Sequence, residues 1–195
     1  MLFPTFTFIL GFLPLTVLLY YFFAARNRTL SRLWLIAASF VFYSWFNWSY
    51  SLILGGSLLM NWFFAQLLYK KQSKIILTLG IICNVLLLGY FKYYDFFIEN
   101  INAVFQTSFL LKHILLPLGI SFFTFQQISF LQLVYGRALE KRYSFSSYAP
   151  FVCFFPQLIA GPIVLPDEMM SQFDNDSCRR PDARNIAAGL YIFAL

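Results

Sequence analysis

The sequence carries very little charge for its length of 195 residues. Only 11% of the residues are Asp, Glu, Lys or Arg, whereas soluble domains usually carry about 25%. In contrast, 60% of the chain is hydrophobic and 22% is aromatic. So few charged side chains could not cover the surface of a soluble globule of this size. The composition argues against a soluble enzyme, a nucleic-acid-binding protein and a disordered chain, and it predicts a protein embedded in a lipid bilayer.

Cysteine and histidine are also scarce. The three cysteines cannot build a disulfide framework and show no C-x-x-C spacing. The one histidine, His113, follows Lys112 and precedes an apolar run, with no carboxylate close to it in the sequence. This setting favours an interfacial anchor over a general base. The residues therefore predict no metal site and no bound cofactor, and they assign no catalytic residue within this chain.

Long uncharged segments define the predicted architecture, because a transmembrane helix needs roughly 20 apolar residues. Such segments predict a first span at 1–25, two spans within 33–69 joined by a turn near 46–50, a fourth at 75–91 and a fifth at 114–135. A cleaved signal peptide is the alternative for 1–25, but the basic residues follow that apolar run instead of preceding it. We therefore predict an all-α, polytopic transmembrane protein with about five full spans.

Three further segments differ from a plain crossing. Residues 95–110 are amphipathic and predict a helix lying along the membrane surface, either as a connector or as a lid or docking surface. Residues 148–166 contain Pro150, Pro156, Gly161, Pro162 and Pro166, which predict a broken or re-entrant sixth segment lining a cavity. The last apolar run, 186–195, is too short to cross a membrane, so we expect the sequence to be truncated.

The basic residues predict an orientation. If the N-terminus faces outward, two lysines fall on the outer side and nine basic residues on the inner side. Because basic loops stay in the cytoplasm, this distribution predicts an outward N-terminus. The outer pair is Lys92 and Lys112, and the inner set is Arg26, Arg28, Arg32, Lys70, Lys71, Lys74, Arg137, Lys141 and Arg142.

No charged side chain falls in the middle of a predicted span, which argues against ion-coupled transporters, proton pumps and voltage sensors. The polar residues at depth are amides and hydroxyls. Most such groups bridge neighbouring helices. Gln126, Gln127 and Gln132 share one span, and together they are better candidates for lining a cavity.

Two stretches carry a family resemblance. They read Leu-Pro-Leu-Gly-Ile-Ser-Phe-Phe-Thr-Phe-Gln at 116–126 and Phe-Pro-Gln-Leu-Ile-Ala-Gly-Pro-Ile at 155–163, with weaker matches at 42–45 and 89–93. In this order the four motifs resemble the membrane-bound O-acyltransferase superfamily, in particular its alginate O-acetyltransferase-like bacterial branch. The resemblance implies an enzyme of the bacterial plasma (inner) membrane that transfers an acyl group, usually acetyl, to hydroxyls of an exported polysaccharide such as alginate.

The same resemblance implies a cytoplasmic acyl donor, with acetyl-CoA and an acyl carrier as the candidates. It also implies an envelope polysaccharide as acceptor and allows a periplasmic or extracellular acetyltransferase partner. The candidate residues for shaping an acyl tunnel in the complete protein are Ser121, Thr124, Gln126, Gln127, Pro156, Gln157, Gly161 and Pro162.

The sequence departs from the family in two places. The family's catalytic histidine follows a Trp downstream of the Gly-Pro motif, and no Trp of this chain precedes a His. We therefore expect residues 1–195 to form the N-terminal part of a single membrane-embedded acyltransferase domain that lacks the catalytic histidine segment. In addition, Leu133 stands where relatives usually have Asp. A non-catalytic membrane scaffold or a transport or assembly subunit remains the alternative.

Overall fold

The computed structural model describes residues 4–45, 47–112, 114–139, 142–161, 164–174 and 181–194. Within these ranges every regular element is helical, which confirms the predicted all-α class. A π-helical stretch, Thr7–Phe12, leads into the first α-helix. The α-helices are α1 (Leu13–Arg26), α2 (Arg28–Ser44), α3 (Trp48–Lys70), α4 (Lys74–Phe105), α5 (Ile120–Gly136), α6 (Phe145–Cys153), α7 (Phe155–Ala160), α8 (Pro166–Asp174) and α9 (Ala183–Ala194).

Three helical stretches in the described part of the chain are long and apolar enough to cross a membrane. They are Thr7–Arg26, Trp48–Lys70 and Lys74–Phe105. Helices α2 and α5 have 17 residues each, which gives a length of about 26 Å, at the lower end for a crossing. The chain is a membrane protein, and the count of about five spans stays a prediction.

Asparagine caps fix the boundaries of α2 and α3. The side chain of Asn27 accepts a hydrogen bond from the Thr29 amide at 2.8 Å, and that of Asn47 accepts one from the Ser49 amide at 3.0 Å. Such caps satisfy amides that the first helical turn leaves without an intrahelical partner. Because α2 ends at Ser44 and α3 begins at Trp48, the turn predicted near 46–50 is confirmed.

Helix α4 corrects the prediction for the segment after the fourth span. A separate surface helix over 95–110 was expected, but 95–105 continue α4 without a break and 106–110 are not helical. The reason is that no Gly or Pro follows Gly89 within α4, so nothing interrupts the helix before Gln106 adopts a left-handed backbone with φ of 52°.

After α4, residues 106–112 form a return segment that runs back along it. The Asn102 side chain accepts a hydrogen bond from the Phe109 amide and donates one to the Phe109 carbonyl, both at 2.9 Å. Further back, the Asp95 carboxylate accepts hydrogen bonds from the amides of Lys112 at 2.9 Å and Ile114 at 3.2 Å. These four bonds hold the return segment against α4.

The fifth span starts later than predicted. The prediction of 114–135 was wrong at its beginning, since α5 begins at Ile120. Pro117 lacks an amide hydrogen, and Gly119 has a left-handed backbone with φ of 68°, so the helix cannot extend back through them. A Cβ on Gly119 would lie 2.8 Å from the carbonyl oxygen of Leu158, which places the start of α5 against α7.

The sixth segment is broken, as predicted. Helix α6 ends at Cys153, Phe154 leaves the helical conformation with ψ of 111°, and α7 begins at Phe155. The Phe155 amide donates a hydrogen bond to the Ser39 hydroxyl at 3.3 Å, which anchors the break on α2. Pro156 stands in the first turn of α7, where a missing amide hydrogen costs nothing.

The core lies where α3, α5 and α6 meet. Tyr148 of α6 is stacked between Phe130 of α5, at a centroid distance of 4.6 Å, and Trp62 of α3, at 5.9 Å. At one edge, the buried Arg32 donates hydrogen bonds to the Ser147 hydroxyl at 2.8 Å and to the Phe173 carbonyl at 2.9 Å. Arg32 therefore joins α2 to α6 and α8.

Candidate functional site

Helix α5 carries four of the eight predicted tunnel residues, but it does not present them on one face. Successive residues of an α-helix are rotated by about 100°. Gln126 therefore shares a face with Phe130, about 40° away, whereas Gln127 and Thr124 lie on the side of Leu131. The two faces meet different neighbours, because Phe130 stacks on α6 while Leu131 lies 2.9 Å from where a Cβ on Gly80 of α4 would be.

Gln127 belongs to an amide cluster that consists of Ser57, Asn61, Asn84 and Gln127. The Ser57 hydroxyl donates to the Gln127 side-chain oxygen at 2.8 Å, and the Asn61 amide donates to the same oxygen. Asn61 and Asn84 exchange two hydrogen bonds, at 3.0 and 2.6 Å. All four side chains are buried. The cluster links α3, α4 and α5, which is the usual work of polar residues between membrane helices.

Gln126 has a different environment from its neighbour. Its side chain is 1% exposed, and neither its oxygen nor its nitrogen has a hydrogen-bond partner among the described residues. The hydroxyls of Tyr43 and Tyr148 are also buried, and they too have no hydrogen-bond partner among the described residues. Leaving such a group without a partner costs about 1–3 kcal/mol. We call Tyr43, Gln126 and Tyr148 the orphan polar track.

The three groups of the orphan polar track lie beside one face of α5. The Tyr43 hydroxyl is 3.5 Å from where a Cβ on Gly119 would be, and Tyr148 stacks on Phe130. Gln126 stands between these levels. The distance along α5 from residue 119 to residue 130 is about 16 Å, at 1.5 Å per residue. These two contacts are therefore separated along α5 by about half of a bilayer's hydrocarbon thickness.

The other predicted tunnel residues of α5 and its neighbour Gln132 divide into buried and exposed positions. Thr124 is fully buried, and its hydroxyl has no partner in the described part of the chain. Ser121 is half-buried. Gln132, which sequence analysis also favoured as cavity lining, is exposed. For Gln132, cavity lining stays a prediction.

The predicted tunnel residues in and after α7 have different environments. Pro156 helps to line an apolar cavity of about 280 Å³ beside α1 and α2, away from the amide cluster. Gln157 is buried. Gly161 ends α7, where its amide donates to the Gln157 carbonyl at 2.9 Å. Pro162 lies outside the described residues. The remaining residues lining the cavity are Leu13, Thr16, Val17, Tyr20, Tyr21, Leu35, Phe154, Phe155 and Phe173.

The structure brings the two motif stretches together at one point, where Gly119 meets the carbonyl of Leu158. Gln127 and Pro156 do not share a neighbour among their described contacts. Sequence analysis missed Tyr43 and Tyr148 as members of the site. Tyr43 could have been found from its place in the motif at 42–45, whereas nothing in the sequence distinguishes Tyr148 from the other tyrosines.

Comparison with known proteins identifies sequence relatives of this chain. A peptidoglycan O-acetyltransferase of Helicobacter pylori is 40% identical over 225 aligned residues, which cover 100% of this chain and 43% of the relative. The chain is homologous to this O-acetyltransferase branch. Probable alginate O-acetylases of Pseudomonas aeruginosa and Azotobacter vinelandii are each 34% identical over 184 residues, which cover 90% of this chain and 35% and 36% of the relatives.

The chain thus spans less than half the length of these O-acetyltransferase relatives. No protein-family model and no solved structure matches it.

Proposed function

We propose that this chain is part of a membrane O-acetyltransferase that delivers acetyl groups to hydroxyls of an exported cell-envelope polysaccharide, such as alginate or peptidoglycan. The observation that carries the proposal is the 40% identity to a peptidoglycan O-acetyltransferase across the whole of the chain. We further propose that residues 1–195 form the N-terminal part of one larger membrane domain and that the histidine base of the family is not among them.

The proposed setting is the bacterial plasma membrane, with the N-terminus outside and about five full spans before the broken segment α6–α7. The distribution of basic residues supports this orientation. The length of α4 supports a crossing by this helix, because Tyr94 lies about 30 Å from Lys74 along the helix axis, which is the thickness of the hydrocarbon core. Tyrosines are typical of the membrane interface.

The orphan polar track is the part of the chain best suited to meet a substrate. An acyl group that moves from a cytoplasmic donor to an outer acceptor brings its carbonyl oxygen, and the acceptor its hydroxyl oxygen, into an apolar region, where each needs a hydrogen-bond partner. Tyr43, Gln126 and Tyr148 offer buried groups that no described residue uses. We propose that these three groups bind the acyl donor or acceptor in the complete protein.

We propose that the remaining candidate residues shape the tunnel. Ser121, Thr124 and Gln127 would do so from α5, and Pro156, Gln157, Gly161 and Pro162 from α7 and the residues after it. Acetyl-CoA or an acyl carrier is the proposed donor. A periplasmic or extracellular acetyltransferase is the proposed partner, in keeping with a polysaccharide acceptor outside the cell.

The experiment that tests the function is deletion of the complete gene in the source bacterium. Acetate released from the envelope polysaccharide by mild base measures its O-acetyl content. We expect the deletion to abolish this acetate and the intact gene to restore it. Unchanged acetate release in the deletion strain would contradict the proposed activity.

Gln126→Leu in the restored gene tests the track itself. We expect acetate release to fall at least tenfold, because the variant removes a buried group proposed to bind substrate. Its thermal stability should hold or rise, since the substitution also removes two unpartnered polar atoms. Gln132→Leu, on the exposed side of the same helix, is the matched control and should leave release unchanged. Equal release by the two variants would exclude Gln126 from the site.

A further inference from the structure

The outward surface of α4 carries an apolar groove that the proposed reaction does not use. It has a volume of about 590 Å³, and its lining residues all belong to α4. Gly89 lies in the middle of the lining, and nothing approaches within 4 Å of the position that its Cβ would take. The missing side chain leaves a notch between its larger neighbours. The lining residues are Val85, Leu86, Gly89, Tyr90, Tyr94, Phe97 and Ile98.

The middle of the groove lies at the membrane interface. Measured from Lys74, Tyr90 lies about 24 Å and Tyr94 about 30 Å along the helix axis, so both rings fall at the edge of the hydrocarbon core. Val85 and Leu86, both exposed, lie deeper in the bilayer. The groove therefore runs from the hydrocarbon region at Val85, through the interface, to Ile98, which lies about 36 Å from Lys74.

A lysine ammonium lies at the part of the groove that is at the membrane interface. The Lys112 ammonium lies over the rings of Tyr94, at 4.9 Å, and Tyr90, at 5.7 Å. It reaches this position because the Asp95 carboxylate accepts hydrogen bonds from the amides of Lys112 and Ile114. The Asp95 carboxylate is thus occupied by the backbone, and within the described residues no ion pair neutralises the Lys112 ammonium.

We infer that this groove binds an anionic phospholipid, with an acyl chain along Gly89 and Leu86 and the phosphate at Lys112. The charge of the ammonium and the apolar lining below it complement the two parts of such a lipid. The Tyr90 and Tyr94 hydroxyls can donate to the phosphate. Lys92 provides a contrast, because its ammonium lies over Tyr93 at 5.3 Å and neither residue lines the groove.

The test is native mass spectrometry of the full chain in detergent with added dioleoylphosphatidylglycerol or dioleoylphosphatidylcholine, which share the same acyl chains. We expect the parent chain to retain the anionic lipid preferentially. A basic side chain near an anionic membrane surface contributes about 1 kcal/mol, or about fivefold in affinity. Lys112→Gln should therefore raise the apparent Kd for phosphatidylglycerol, measured by titrating the lipid, by about fivefold, and Lys92→Gln should change it by less than twofold.

A second variant, Gly89→Leu, fills the notch and should lower the binding of both lipids. Nothing lies within 4 Å of the Cβ position of Gly89, which is inside a helix, so this substitution should not disturb folding. Equal losses in the two lysine variants, or no preference for the anionic lipid in the parent, would overturn the inference. So would a dimer that Gly89→Leu dissociates, because a second copy of the chain would then occupy the groove.

Discussion

Replacing Gly119 by alanine tests whether the contact between α5 and α7 depends on a missing side chain. Two costs add at this position. The left-handed backbone, with φ of 68°, costs a residue with a Cβ about 1–2 kcal/mol. The new Cβ would also lie 2.8 Å from the Leu158 carbonyl oxygen, closer than van der Waals contact allows, and such overpacking typically costs about 1–3 kcal/mol. We expect Gly119→Ala to lower the free energy of unfolding by about 2–5 kcal/mol.

Gly56→Ala is the matched control. Gly56 is exposed within α3, and nothing lies within 4 Å of its Cβ position. Alanine is favoured over glycine in a helix by about 0.5–1 kcal/mol, so this variant should raise the free energy of unfolding slightly. The same chemical change should thus have opposite effects at the two sites.

The assay is reversible unfolding by sodium dodecyl sulfate in mixed micelles, followed by helical circular dichroism and by the fluorescence of the four tryptophans. The difference between the two variants is the quantity of interest. If Gly119→Ala loses less than about 0.5 kcal/mol, or if both variants shift in the same direction by similar amounts, then the close approach of α5 and α7 is not a determinant of stability.

Two further substitutions address the other contacts. In the amide cluster, a double-mutant cycle with Asn61→Ala and Asn84→Ala in the same unfolding assay should give a coupling energy of about 0.6–1.7 kcal/mol. These are the average and the maximum for hydrogen bonds between membrane helices. Strictly additive losses would contradict the two hydrogen bonds between Asn61 and Asn84. In the full-length, active protein, Gly161→Ala should reduce acetyl transfer while leaving membrane insertion intact, because its Cβ would fall 2.7 Å from the Cα of Gln157; unchanged transfer would argue against a part for this turn in the site.

Much of the architecture could be predicted from the uncharged runs and their breakers. The turn between α2 and α3 and the break after α6 follow from local chemistry, namely an asparagine cap and two prolines, Pro150 and Pro156, on either side of the break. The separate helix after the fourth span could not be excluded, because an amphipathic pattern at 95–105 continues the period of the helix before it. Only an interrupting Gly or Pro would have distinguished the two cases.

The site was harder to predict because neighbouring residues of the same type meet different surroundings. Gln126 and Gln127 are adjacent and both buried, yet Gln126 belongs to the orphan polar track and Gln127 joins the amide cluster. Gln132 is exposed. A rotation of about 100° per residue separates these outcomes, and it has meaning only once the packing of α3, α4 and α6 around α5 is known.

The amide cluster also has a consequence for how the chain enters a membrane during synthesis. Asn61 and Asn84 lie on consecutive helices and satisfy each other, so a hairpin of α3 and α4 can bury both amides before α5 leaves the ribosome. Gln127 is synthesised later. Its side-chain oxygen then accepts hydrogen bonds from Ser57 and Asn61, which are already in place on α3. Because segments emerge N-terminal end first, the hairpin acts as a template that sets the rotation of the arriving helix.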